Sequence, residues 1–238
     1  MGAVSLSIFS SPCKHNCLGP SINAKQSFLS SLQNLINLLA TVLQFATSDL
    51  EVIVSEALPE VGVYLFEAFI IRGMFEEYKN LLKKWNLTMC EVSDGSINIS
   101  HEEKCNYIKE LSKEFKVVSE VGSKDDKVLI APYKWIELMQ KELDAGSWKV
   151  IAEAREGGNV GIYRKGGDVR SDLIDEILTK IPTEKILWEA PKKPQQVWFI
   201  KLLGPNVNLG NISWDEVIPL ETLRIGLRGD TFYDYLKN

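Results

Sequence analysis

The sequence predicts an α/β fold built on parallel strands, and three observations carry that expectation. Four apolar runs in the second half of the chain each stop on a glutamate, at Glu91, Glu120, Glu153 and Glu189. Helix-like sequence fills the space between successive runs. The glutamates recur about thirty residues apart, the size of one strand with its crossover helix. Each glutamate is therefore expected at the carboxyl end of a strand feeding a helix, the edge at which α/β folds carry out chemistry.

Taken in order, the chain begins unlike its remainder. Residues 1–48 hold no acidic residue, are rich in serine, and contain an apolar helical stretch at 28–45. Acid-poor, serine-rich ends suit an organelle leader, which points to the chloroplast, but the first arginine is Arg72, and a helix packing on the domain or an unstructured leader fits equally. Asn34, Asn37 and Gln44 interrupt the apolar stretch, so no membrane span is expected. Leu6 breaks a myristoylation signal. Cys13, His15 and Cys17 lack the second ligand pair that a closed zinc site needs.

A short strand is expected at 50–54 and one long helix at 59–85, weakened or bent at Gly73. From residue 88 strand and helix alternate, with a fifth apolar run at 207–209. Ser100 with Glu103 and Ser213 with Glu216 read as capping boxes at helix starts. Pro132 and Pro194 suit first turns, and Gly146 and Gly204 suit helix stops. His101 reads as a solvated first-turn residue.

At 238 residues and 45% hydrophobic, the chain can build one substantial core, as a single barrel or a single open sheet. It divides into a divergent segment at 1–58 and an α/β domain at 59–238. The net charge of −5 and the lack of a basic face argue against nucleic acid as a partner. Four cysteines, two of them inside expected elements, suit reduced thiols and a cytoplasmic protein better than a disulfide framework. With only two histidines, acid and base work falls to carboxylates and lysines.

Ordered motifs then accumulate: Glu91 to Ser96, Ser119 to Gly122, Glu153 to Glu156 with Gly161 to Tyr163, Glu189 to Pro191 with Gln195 and Gln196, Val207 to Leu209 with Asn211 and Ile212, and Leu220 to Arg224 with Gly226 to Thr231. Together they resemble the phosphosulfolactate synthase family, which includes plant heat-stress-associated relatives. The resemblance spans residues 66–232. It implies a (β/α)8 TIM-barrel type fold and a lyase-class reaction that adds sulfite to phosphoenolpyruvate with Mg2+.

The physical chemistry of that reaction then assigns a site, with Lys124 at the position of a lysine in the family's motif. Glu91, Glu120, Glu153 and Glu189 become the metal ligands, because magnesium takes hard oxygen donors. Lys124 becomes the general acid and Arg155 a contact to a phosphate or sulfonate oxygen. The competing roles are a solvated mixed-charge loop for Lys124 and an ion pair for Arg155. Lys192, Gln196, Asn208, Gly210 and Asn211 become the substrate-phosphate subsite beside a helix start, with local side-chain capping as the alternative for the two asparagines. Arg224, Arg228 and Asp230 equally suit salt bridges that close the barrel bottom.

The family's opening motifs are missing from the first sixty residues, which keep nothing before Leu65, Phe66 and Glu67 beyond a short apolar lead-in. The expected barrel is therefore incomplete at the N-terminus, with its first two or three strands missing or replaced. Open edges make a homo-oligomer one way to cover unpaired backbone. A catalytically inactive heat-stress-associated protein acting through protein interactions remains the alternative function.

Overall fold

The computed structural model describes residues 65–123, 129–155 and 157–235. The segment at 1–58 lies outside them, as do the helix expected at 28–45, the strand expected at 50–54, and Lys124.

In place of one long helix up to residue 85, the chain forms α1 (Leu65–Ile70) and α2 (Phe75–Lys84). The break has a local cause. Gly73 takes φ 63°, its amide reaches the Ile70 carbonyl, and the Met74 amide reaches back to Phe69, which is the paired closure of a Schellman motif. The two helices then fold onto each other, with Phe66 and Phe69 both packed against Tyr78.

Strand and helix alternate from there: β1 (Met89–Val92), α3 (His101–Leu111), β2 (Lys116–Val121), α4 (Pro132–Asp144), β3 (Lys149–Ala152), α5 (Ser171–Leu178), β4 (Ile186–Glu189), α6 (Lys193–Leu203), β5 (Leu209–Gly210), α7 (Val217–Arg224) and α8 (Phe232–Tyr235). The Ser100 cap forms as expected, its hydroxyl accepting the Glu103 amide at 3.1 Å. The Ser213 box does not: that hydroxyl donates to Asp215, and a 3-10 turn at Trp214–Glu216 precedes α7. Pro132 opens α4 and Pro194 lies in the first turn of α6, where a missing amide costs no bond.

All five strands are parallel, in the order β1-β2-β3-β4-β5. Each crossover thus returns the chain to the next position in the same direction. A doubly wound sheet would reverse its order at a switch point, whereas a barrel adds strands one after another. Among the described residues the sheet is an open run of five strands and does not close.

Register decides which side chains share a face. Pairing sets Val121, Ala152, Trp188 and Leu209 at one level and Val92, Ser119, Val150 and Ile186 two residues below. These levels carry the wall under the helices, where Val121, Val150, Ala152, Ile186, Trp188 and Leu209 pack with Trp135, Met139, Leu173, Ile177 and Phe199. Alternation therefore sends Glu91, Val118, Glu120, Ile151, Leu187 and Glu189 to the opposite face, the interior of a barrel arc. Cys90 and Cys105 are free thiols, and burial pushes the Cys90 thiol up to about 12. Among the described residues no helix is long and apolar enough to cross a membrane.

Two glycines with left-handed backbone separate conformational strain from close approach. A Cβ at Gly73 would meet open space, whereas one at Gly161 (φ 60°) would strike the Glu153 carbonyl oxygen. Gly73→Ala is expected to cost about 1 kcal/mol, and Gly161→Ala about 3 kcal/mol or more. Urea unfolding midpoints check this, and equal losses would contradict the close packing of the β3–α5 loop on β3.

Candidate functional site

Each sequence-selected glutamate lies within one residue of a strand's carboxyl end. Glu91 and Glu120 are the penultimate residues of β1 and β2, Glu153 follows β3 directly, and Glu189 closes β4. Their environments differ. Glu120 and Glu153 are buried, while Glu91 and Glu189 keep some accessible surface.

Glu189 is the electrostatic centre of the group. Burial, and after it the charge of Glu120, pushes its carboxyl up to about 8, with Glu91 adding to the rise. The Ala154 amide, 2.6 Å from Glu189 Oε2, and the Asn211 side chain pull the other way and do not prevail. Glu91, Glu120 and Glu189 thus form one coupled acidic face. Glu153 turns back on its own loop: its Oε1 accepts the Arg155 amide at 2.7 Å.

That loop is strained. Arg155 takes φ 58°, a left-handed conformation that costs a side-chain-bearing residue about 1–2 kcal/mol. The turn aims the Arg155 amide at Glu153 and leaves the arginine exposed. The chain then comes back through Tyr163, whose hydroxyl donates to the Glu189 carbonyl at 2.6 Å; burial raises that phenol's pKa. Two neighbouring strand ends are fastened to each other in this way.

The sequence-selected phosphate residues fall around β4 and β5 with unequal access. Lys192 is exposed at the start of α6, its amide donating to Gln195 Oε1. Gln196 is fully buried, and its Nε2 donates to the Ala190 carbonyl at 3.2 Å. The Asn208 amide group donates to the Ile186 carbonyl, and Asn211, at φ 55°, directs its side chain to Glu189. Gly210 lies against β4, where a Cβ would strike Leu187. Arg224 donates to the Pro205 carbonyl and Asp230 pairs with Lys193 at 2.7 Å, so both fasten chain segments.

Several residues to which the sequence reading gave no part in the site stand beside this edge. Gln195, buried, donates to the carbonyls of Gly158 and Gly167 and clamps the β3–α5 loop onto α6. Glu67, 2% exposed, accepts the Ser93 hydroxyl and the Ser96 amide and so holds the loop leaving β1. A cleft beside the ends of β1 and β2 is lined by Asp94, His101, Lys104, Glu120, Gly122 and Glu142. His101 is not a solvated first-turn residue: its Nε2 lies 3.1 Å from Glu142 Oε1. Lys104 and Glu142 had a legible signal, since each occupies an inward position of an amphipathic helix, in line with Ile108 and Leu111 or with Trp135 and Met139.

Residues 54–230 match the family described as (2R)-phospho-3-sulfolactate synthase (ComA). The phosphosulfolactate synthase of Methanocaldococcus jannaschii is 45% identical over 176 residues, which are 72% of this chain and 70% of that protein. The enzyme of the same name from Methanothermobacter thermautotrophicus is 43% identical over 177 residues, 73% of this chain and 69% of that protein. A shorter stretch of 89 residues is 29% identical to Protein HEAT-STRESS-ASSOCIATED 32 of Arabidopsis thaliana, covering 37% of this chain and 29% of that protein. The chain belongs to the phosphosulfolactate synthase family, whose fold is of the TIM-barrel type.

A raised carboxyl has a signed consequence for stability. Between the ordinary carboxylate value and about 8, folded Glu189 holds a proton that the unfolded chain has released, so stability falls as pH rises through that window. Without divalent cations, the thermal midpoint is expected to drop between about pH 5 and about pH 8, and Glu189→Gln is expected to flatten the drop. Parallel melting curves for the two proteins across that range would remove Glu189 as the titrating group.

Proposed function

We propose that this chain performs the reaction for which its archaeal relatives are named, joining sulfite to phosphoenolpyruvate to give phosphosulfolactate. The observation that carries the reading is the coupled acidic face of Glu91, Glu120 and Glu189 at the strand ends. Burial first, and then the charges of Glu120 and Glu91, hold Glu189 far above the ordinary range. Such a face is relieved by a proton or by a cation.

Among the described residues no three His, Cys, Asp or Glu side chains converge as a ready-made ligand set. Magnesium does not require one, since it is commonly bound through one or two carboxylates with water and substrate oxygens completing the octahedron. Glu189 and Glu120, the charge that acts on it more strongly than Glu91 does, fit that role. A bound Mg2+ would supply Lewis-acid stabilisation of negative charge developing on the substrate. Glu91 contributes longer-range negative potential, and Glu153 holds the turn that carries Arg155.

The reaction forms a C–S bond and a C–H bond at the expense of the C=C π bond and leaves the phosphate ester intact. The sulfur lone pair of sulfite attacks the methylene carbon of phosphoenolpyruvate, and the π electrons move onto the adjacent carboxylate as an enolate. A proton delivered to the phosphate-bearing carbon restores the carboxylate and completes phosphosulfolactate. Lys124, four residues past Glu120, is assigned as the proton donor. Arg155, exposed on its strained turn, and Lys192, exposed before α6, are assigned to the anionic oxygens of substrate and sulfite. The heat-stress reading rests on the shorter plant match, and no observed geometry favours it.

Calorimetric titration with phosphoenolpyruvate, with and without magnesium, followed by sulfite addition and mass detection of product, tests the reading. Magnesium-dependent binding and product formation are expected, and a folded chain that binds no phosphoenolpyruvate would overturn it. Lys124→Ala is expected to lower turnover by about 100-fold or more with an unchanged melting temperature; a large stability loss would make this lysine structural. Glu120→Gln is expected to raise the magnesium concentration needed for half-maximal phosphoenolpyruvate binding, and an unchanged magnesium response would exclude it as a ligand.

A further inference from the structure

Gln195 is 2% exposed, and its carboxamide is shared among three separate points of the backbone. Oε1 accepts the Lys192 amide at 3.1 Å, and Nε2 donates to the Gly158 carbonyl at 2.9 Å and to the Gly167 carbonyl at 3.3 Å. The surroundings fix which way the group faces: reversed, its oxygen would meet two carbonyl oxygens and its NH2 an N–H donor. Gly158 lies so close that a Cβ there would strike the carboxamide.

Each of the three points leads to a cation of the candidate site. Gly158 closes the turn that presents Arg155, its amide donating to the Arg155 carbonyl at 2.9 Å, while Glu153 holds the other side of that turn by accepting the Arg155 amide. Gly167 lies in the excursion bridged by Tyr163 and Val169, its amide donating to the Arg164 carbonyl at 2.7 Å. The Lys192 ammonium stands beside it, 3.9 Å from where a Cβ on Gly167 would be. Arg155 and Lys192 follow different strands, β3 and β4, and both are exposed. Their own burial therefore does not fix where they stand, and the backbone beneath them must. One carboxamide joins the two stretches of backbone.

We propose that Gln195 is a positioning residue that sets the spacing of Arg155 and Lys192, so that the two cations meet the bound anions in one geometry. The inference rests on the reading that these two side chains take the anionic oxygens of substrate and sulfite. It assigns no contact between Gln195 and either anion. Its physical basis is that cations on separate loops act together only when their spacing matches the anion to within a fraction of an ångström. A carboxamide suits the task because it accepts on one side and donates on the other, whereas an ionised carboxylate would set negative charge against the Gly158 and Gly167 carbonyls.

Gln195→Met removes all three bonds at similar volume, and Gln195→Glu, when ionised, keeps the acceptor for the Lys192 amide and removes both donors. Each is made in the full chain, alone and combined with Lys192→Ala. Two measurements are made on every variant and the parent: the phosphoenolpyruvate dissociation constant in magnesium, and amide hydrogen exchange at Gly158 and Gly167. Both Gln195 variants are expected to exchange faster at these glycines and to bind phosphoenolpyruvate more weakly, each by at least about tenfold. Lys192→Ala is expected to weaken binding about tenfold in the parent and less than about twofold after either Gln195 change, because a misplaced cation has little left to lose. An equal cost of Lys192→Ala in both backgrounds would overturn the proposal and leave Gln195 a structural role. So would parental affinity in a variant whose glycine amides exchange faster. If Gln195→Met does not fold, Gln195→Glu carries the test; if neither folds, Gln195 is a stability element and the proposal falls. A parent that binds no phosphoenolpyruvate would instead overturn the functional reading, and the glycine exchange rates alone would then decide whether Gln195 pins the Arg155 turn.

Discussion

The alternation of side chains along a parallel ladder is the constraint from which the rest of this structure follows. A strand that offers one face to the helices must offer the next residue to the other side, and a one-residue slip would exchange the two sets. Here the helix-facing set is Val121, Ala152, Trp188 and Leu209 with the level beneath it, and their packing on α4, α5 and α6 fixes the register. Once the register is fixed, Glu91, Glu120 and Glu189 have no choice of face. The apolar wall on one side thus determines the acidic face on the other.

Grouping like charges on one face opposes folding, and the surrounding structure shows how the arrangement is held. Glu189 receives the Ala154 amide and the Asn211 side chain, Glu153 the Arg155 amide, and Glu67 the Ser93 hydroxyl and the Ser96 amide. Three of these five donors are backbone amides of the loops that leave β1 and β3. The left-handed residues Arg155, three residues past β3, and Asn211, directly after β5, aim a backbone amide at Glu153 and a side chain at Glu189. Local strain at these turns is the cost of keeping the negative face in a single geometry.

Helices contribute charge as well as cover. The inward positions of α3 and α4 would ordinarily be apolar, yet Lys104 and Glu142 occupy them and meet across the helix pair. A buried ion pair is a weak source of stability, because desolvation of both ions offsets their attraction. Its value here lies in direction: three carbonyl or carboxylate acceptors on three different segments converge on one ammonium. The proposed function places the chemistry at this edge of the sheet. The helix layer reaches it through Lys104.

Much of this was legible in the sequence. Spacing and apolar runs determined parallel strands with glutamates at their carboxyl ends, and the ordered motifs determined the family. Both depend on local chain chemistry and on residue order, which a linear string carries. Tertiary structure alone decided that Glu91, Glu120 and Glu189 act as one group while Glu153 turns away, because burial and coupling arise between strands about thirty residues apart. It also decided that Asn208 braces a neighbouring strand and that Ser213 spends its hydroxyl on Asp215. The helix read as continuous breaks at Gly73 because a Schellman closure and the packing of two helices outweigh helix propensity. Lys104 was visible only as a charge on an apolar stripe; its meeting with Asp94, Glu142 and the Glu120 carbonyl exists only once α3 has packed beside β2 and α4.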